Sequence, residues 1–160
     1  MPPDSAPAGE HREYLPSASE RARDQVARYE ASDGADGGEL DGRPVVILTT
    51  RGVASGAIRK TPIMRVVDGE DYVAIASYAG NPKNPSWYGN LIGDPDAEIR
   101  DGQRRIPVRA REVSGAEKAR LWAIADAGNP AYARYRAAAG REIPIFLLTP
   151  IRPESSPTGS

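Results

Sequence analysis

The sequence predicts an α+β domain: an antiparallel sheet curling towards a small barrel, with helices at its ends and between strand pairs. Three observations carry this. Strand-like runs come as hairpins, with residues 59–67 and 71–77 flanking Asp68-Gly69-Glu70, and 97–100 and 104–113 flanking Asp101-Gly102. Helical segments separate pairs of strands rather than following each strand, so the alternation of a parallel sheet is missing. The first and last strands, 44–50 and 143–150, are both strongly apolar, as closure of a sheet requires.

Each element has a local cause. Residues 1–16 hold four prolines among small and charged residues and are expected to be a disordered tail. Ser17-Ala18-Ser19-Glu20 matches a capping box and opens a helix to about Ala31 with a narrow apolar side, Ala22, Val26 and Tyr29. Ser32 to Gly42, rich in Gly and Asp, reads as a loop ending in an Asp41-Gly42 turn. Pro44 to Thr50 is a β-branched run suited to burial on both faces. Asn84 and Pro85 read as the N-cap and first residue of a helix, in which Trp87 and Leu91 share one face. Ser114 to Glu117 is a second capping box, ahead of a helix with Ala119, Leu121, Trp122 and Ala125 inward. Asn129-Pro130 starts a last helix, and Gly140 ends it. The chain thus divides into a tail (1–16), an N-terminal helix and loop (17–43), a barrel domain (44–151) and a polar tail (152–160).

Composition excludes several function classes. The 160 residues carry a net charge of −1, which argues against general nucleic-acid binding. No cysteine is present, so disulfides, thiolate metal sites and cysteine nucleophiles are ruled out. The single histidine, His11, lies in the tail, so neither a histidine triad nor a multi-histidine metal site is expected. No membrane span or signal peptide is visible, which predicts a cytoplasmic protein with at most a peripheral membrane contact. An enzyme of this composition takes its reactive chemistry from an organic cofactor.

Two stretches free of carboxylates suggest where such a ligand lies. Thr49 to Val67 carries Arg51, Arg59, Lys60 and Arg65, and Tyr72 to Gly93 carries only Lys83. Side by side they form a cationic groove for a phosphate or polycarboxylate, or else a solvated basic edge that guards against strand pairing. The amides of Ser86, Trp87 and Tyr88 open a helix and attract anions. Gly52 and Gly56 are not a phosphate loop, because no Lys-Ser/Thr and no helix follows. Tyr132 and Tyr135 share a helix face and serve either as packing residues or as hydrogen-bond donors to a substrate. Ser77 either binds substrate or caps its own loop.

Four segments together carry a resemblance. They are Pro44 to Gly52 with Ser55-Gly56 and Arg59; Thr61-Pro62-Ile63; Ala76-Ser77 with Pro82-Lys83-Asn84-Pro85-Ser86-Trp87-Tyr88 and Asn90-Leu91; and Pro130-Ala131-Tyr132 with Tyr135 and Arg141 to Ile145. In order and spacing the chain resembles the deazaflavin-dependent nitroreductase family, which includes F420H2-dependent quinone reductases, over roughly residues 41–150. The resemblance implies a split β-barrel like that of FMN-binding proteins, antiparallel, with peripheral helices. It implies hydride transfer from reduced coenzyme F420 to a quinone, nitroaromatic or activated alkene (enone) acceptor; a monomer or homodimer is expected, since barrels with exposed hairpins often pair.

It also implies a cofactor site at Ser55, Arg59, Lys60, Thr61, Pro62, Ile63 and Met64, at Ile75, Ala76, Ser77 and Tyr78, and at Lys83, Ser86, Trp87, Tyr88, Gly89 and Asn90. Ser77, Tyr132 and Tyr135 take the catalytic positions, with Met64 beside the substrate; no metal is implied. The chain departs from the family at Val53 and Ala54, where basic residues are common, which leaves a weaker hold on an anionic tail or one made by backbone amides. The alternatives are a barrel carrying a flavin- or lipid-like ligand without catalysis, and an FMN-dependent reductase of the same fold.

Overall fold

The structure, a computed structural model, describes residues 20–40, 42–77, 80 and 82–151. The Ser17 capping box, His11, Asp41, Tyr78 and the C-terminal tail lie outside the described residues. In order come α1 (Glu20–Ser32), β1 (Glu39–Leu40), β2 (Arg43–Arg51), β3 (Ile58–Met64), β4 (Val67–Asp68), β5 (Asp71–Ile75), α2 (Ser86–Gly93), β6 (Asp96–Asp101), β7 (Arg104–Glu112), α3 (Gly115–Gly128), α4 (Ala131–Ala139) and β8 (Ile145–Pro150).

The strands form one curled antiparallel sheet in the order β1-β2-β6-β7-β8-β5-β4, with β3 also paired to β2. Its two ends meet through the chain itself, because β3 runs into β4 by way of Arg65 and Val66. Arg65 N–H donates to Pro44 O (3.0 Å) and Val73 N–H to Val66 O (2.8 Å) at this join. Beyond it, among the described residues, β3 and β5 are not paired with each other, so the barrel is split along that seam.

Coverage of both sheet faces explains the most apolar strands. In β2, Val46 and Leu48 face the barrel interior with Ala74, Ile99, Val108, Phe146 and Leu148. Val45 and Ile47 point the other way, under Val26 and Tyr29 of α1. In β8, Phe146 and Leu148 face inward, and Ile145 and Leu147 pack with Leu121, Ala125 and Tyr132 of α3 and α4. The expected closure through these two strands is not what occurs: β6 and β7 lie between them. Their composition reflects burial on two faces, not mutual pairing.

Several local expectations are corrected. The loop 32–42 contains β1, and the run 59–67 breaks at Arg65 and Val66. Ala119 is exposed. Ser114 precedes α3 without a side-chain cap, and Glu117, expected to reach back to it, is held instead by the Arg111 guanidinium in two 2.9 Å bonds. That charge-assisted fork is stronger than a neutral capping bond. The start of α4 is as expected: Pro130 has helical dihedrals and Ala131 N–H donates to Asn129 Oδ1 at 3.0 Å.

At one rim of the barrel, Tyr72 Oη donates to Asp101 Oδ2 (2.6 Å), which also accepts from Arg65 Nε (3.0 Å). Burial, then the bond to Asp101, pushes the Tyr72 hydroxyl up to about 12. A folded pKa above the unfolded value of about 10 stabilises the protein fully below pH ~10, and that contribution is lost as pH rises through the folded pKa. The stability difference between wild type and Tyr72→Phe is therefore expected to be constant at pH 7–9 and to shrink above pH ~10, as read by urea midpoints.

Candidate active site

The seam collects most of the predicted ligand residues. All seven residues of β3 are half-buried, unlike the covered positions of β2, so this strand is neither core nor plain surface. Cross-strand register divides its side chains between two faces. Arg59, Thr61 and Ile63 pair with Thr50, Leu48 and Val46, on the barrel face, whereas Lys60, Pro62 and Met64 pair with Thr49, Ile47 and Val45, on the α1 face. The predicted cofactor wall therefore does not form one continuous surface. Across the seam stand the buried Ile75, Ala76 and Ser77.

The cationic groove is largely neutralised. Arg51 pairs with Asp94 (3.0 Å), Lys60 with Glu30 of α1 (2.6 Å) and Arg65 with Asp101 (3.0 Å). Arg59 makes no ion pair among the described residues. Its cross-strand neighbour Thr50 accepts a bond from Asn90 Nδ2 of α2 at 3.2 Å, so α2 lies over this end of β2, beside Arg59.

Helix α2 is built differently from the expectation. Pro85, not Asn84, holds the cap position, with no side-chain cap bond. The Asn84 side chain instead accepts from Arg141 Nη1 at 2.6 Å. Tyr88 N–H donates to Pro85 O (3.0 Å), which leaves the N–H groups of Ser86 and Trp87 without an acceptor among the described residues. The Trp87 ring is buried with the barrel interior, 6.2 Å from Phe146. Tyr88 packs on the same ring and approaches Glu112 (3.4 Å). Asn90 is buried, and its Oδ1 accepts from Val53 N–H (3.2 Å), so it ties α2 to the β2–β3 turn. Ser55 Oγ accepts from Ala57 N–H (3.1 Å) within that turn. Ser86, Gly89 and Lys83 are exposed at the helix surface and its approach.

A cavity of about 320 Å³ opens between the β3–β4 join and helices α3 and α4. Met64, Val66, Ile124 and Tyr132 form its apolar lining, and Arg43, Arg65 and Asn129 add polar groups. Tyr132 is only 3% exposed, its ring stacked edge-on against Trp122 and Tyr135 at 5.9 Å each. Its hydroxyl meets no hydrogen-bond partner among the described residues. Burial, with smaller contributions from Tyr135 and Asp126, holds it well above the ordinary tyrosine range, so it stays protonated. A buried donor without a partner beside a cavity is rare in native proteins. Tyr135 is half-buried. Among the described residues there is no cluster of His, Cys, Asp and Glu able to hold a metal.

The model of the F420H(2)-dependent quinone reductase family matches residues 21–150. The chain belongs to this family. It is 35% identical over 127 residues to an F420H(2)-dependent quinone reductase of Mycobacterium tuberculosis (strain ATCC 25618 / H37Rv), covering 77% of this chain and 85% of the relative. A solved F420-H2-dependent reductase, FDR-A, superposes with a TM-score of 0.62 at 40% identity, over 66% of this chain and 94% of that one. A chain described as a domain-swapped dimer superposes at 0.64 with 38% identity, over 79% and 95% respectively. The antiparallel sheet is the one expected from the hairpins, and the split barrel is the one that the resemblance implies. No described helix is long and apolar enough to cross a membrane.

One residue escaped the sequence reading. Arg141 belongs to a segment that carried the resemblance, yet it was given no role. Its guanidinium donates to Ala76 O and Lys83 O (3.0 Å each) and to Asn84 Oδ1. The available signal was an arginine directly after a helix-ending glycine, ahead of a buried strand.

Proposed function

We propose that this chain binds reduced coenzyme F420 along the β3 seam and reduces a quinone. The observation that carries the reading is the protonated Tyr132 hydroxyl, buried without a hydrogen-bond partner among the described residues beside the cavity that Met64 also lines. The residues fit the cofactor: among the described residues Arg59 makes no ion pair and the Ser86 and Trp87 amides meet no acceptor, and β3 is half-buried along its length. In this reading Arg59 and the Ser86 and Trp87 amides hold the phosphate and glutamyl carboxylates. Thr61 and Ile63, on the same face as Arg59, and Ile75 to Ser77 across the seam flank the ring. Lys60 acts through its pair with Glu30, which fixes α1 against β3.

When bound, the reduced deazaflavin supplies the hydride. The protein orients the acceptor and supplies a hydrogen-bond donor, and solvent supplies the proton that accompanies the hydride. Tyr132 Oη donates to the acceptor's carbonyl oxygen, which gains charge as the hydride arrives, and Ser77 and Tyr135 complete the surroundings. A fixed donor aimed at developing charge lowers the barrier without reorganisation. The apolar wall of Met64, Val66 and Ile124 suits a flat quinone. Nitroaromatics and enones present an oxygen in the same relation to an electron-poor centre, and we extend the proposal to them.

Tyr132→Phe tests the assignment. Turnover with a menadione-like quinone is expected to fall roughly tenfold to a hundredfold, the worth of one hydrogen bond to a developing charge, with the Kd for F420 unchanged. Because the lost hydroxyl has no partner among the described residues, the melting temperature should stay level or rise. Unchanged turnover, or unfolding in step with lost activity, contradicts it.

A further inference from the structure

The connection between β5 and α2 carries Ser77 at one end and the start of α2 at the other. A single side chain ties both ends. Arg141 Nη2 donates to Ala76 O and to Lys83 O at 3.0 Å, and Nη1 donates to Asn84 Oδ1 at 2.6 Å, with a longer bond to Glu142 O at 3.4 Å. Only a planar fork with several fixed N–H directions reaches these acceptors together; an ammonium on a flexible stem does not.

The arginine is aimed by its neighbour. Gly140 ends α4 in the left-handed region (φ 65°), and that turn swings Arg141 from the helix end towards the connection. A second contact lies nearby. Gly80 (φ 83°) is buried against α4, where a Cβ would sit 3.1 Å from Ala138 Cβ and 3.5 Å from Tyr135 Cα. The helix that carries Tyr132 and Tyr135 is thus fastened to the connection that carries Ser77 and launches α2.

We propose that Arg141 is a positioning residue that sets the cofactor-holding start of α2 and Ser77 in register with the tyrosines of α4. It acts through the backbone of Ala76 and Lys83 and touches neither cofactor nor acceptor. The proposal rests on the F420 reading for its functional consequence, but the fastening itself is a property of the protein alone.

The test compares Arg141→Lys and Arg141→Ala with Arg111→Ala, which removes a surface arginine whose bidentate partner is Glu117 on α3. The first readout needs no cofactor: amide hydrogen exchange at Gly80 and Tyr88, whose N–H groups bond Ser77 O and Pro85 O. Exchange at both is expected to rise roughly tenfold in the Arg141 variants and to stay unchanged in Arg111→Ala. The second is F420 titration, where Kd should rise roughly tenfold, with turnover falling by a similar or larger factor. Guanidinium ion, well below denaturing concentration, should restore binding in Arg141→Ala and do nothing for Arg111→Ala. Unchanged exchange and unchanged Kd overturn the proposal, as does a loss that guanidinium does not restore. If the wild type itself fails to bind F420, the functional reading falls, and exchange alone decides the fastening.

Discussion

Arg59→Ala is expected to raise the Kd for coenzyme F420 by roughly tenfold to a hundredfold, the worth of one charge-assisted contact of about 1.5–3 kcal/mol. The other three basic residues between Thr49 and Val67 are already committed: Arg51 to Asp94, Lys60 to Glu30 and Arg65 to Asp101. Only Arg59 makes no ion pair among the described residues, and it stands on the β2–β3 face next to α2. Removing it should cost little stability, because no partner is left behind. Arg59→Lys should recover part of the affinity, since charge returns without the fork. Raising the salt concentration should weaken the wild type more than Arg59→Ala. Fluorescence titration at two ionic strengths reads all three. An unchanged Kd in Arg59→Ala would remove the anion assignment from this end of the seam.

Phe146→Ala is expected to cost about 3–5 kcal/mol. The chain's one phenylalanine sits in the barrel interior, 2% exposed, with Trp87 at 6.2 Å and Tyr88 at 5.6 Å. Both contacts come from α2, so the ring anchors the helix as well as filling the core. For a domain of this size the loss corresponds to a fall in Tm of roughly 10 °C. Phe146→Leu should cost far less, about 1–1.5 kcal/mol, because most of the volume remains. Urea unfolding gives the energies, and F420 affinity should fall in Phe146→Ala even where it is still folded. A loss of stability below about 1 kcal/mol would mean that α2 is held elsewhere, through Asn90 for instance.

The sheet and its helices were legible because they follow from local pattern. Val45 to Leu48 reads as a strand covered on both faces, and it is one, with α1 on one side and the barrel interior on the other. Asn129, Pro130 and Gly140 announce the limits of α4 through chemistry that acts over two or three residues. What escaped was long-range. The partners of Lys60, Arg65 and Arg51 lie 30, 36 and 43 residues away in sequence, so a stretch that is basic along the chain is close to neutral in space. Asn84 has the right chemistry for an N-cap, but Arg141, 57 residues on, holds its side chain instead. Of the segments proposed for the cofactor, β3 and the end of β5 stand on either side of the seam, and α2 lies over the end of β2. Its division into two faces is the ordinary alternation of a strand, which separates Arg59 from Lys60 and Ile63 from Met64.

The central claim is that this split barrel holds coenzyme F420 in the seam between β3 and β5. Titration of the purified protein with F420, followed by the fluorescence of the deazaflavin, tests it most directly. The account predicts saturable binding of one cofactor per chain at micromolar concentrations or below, weakened by Arg59→Ala and unaffected by Tyr132→Phe. Absence of saturable binding at micromolar concentrations would contradict it.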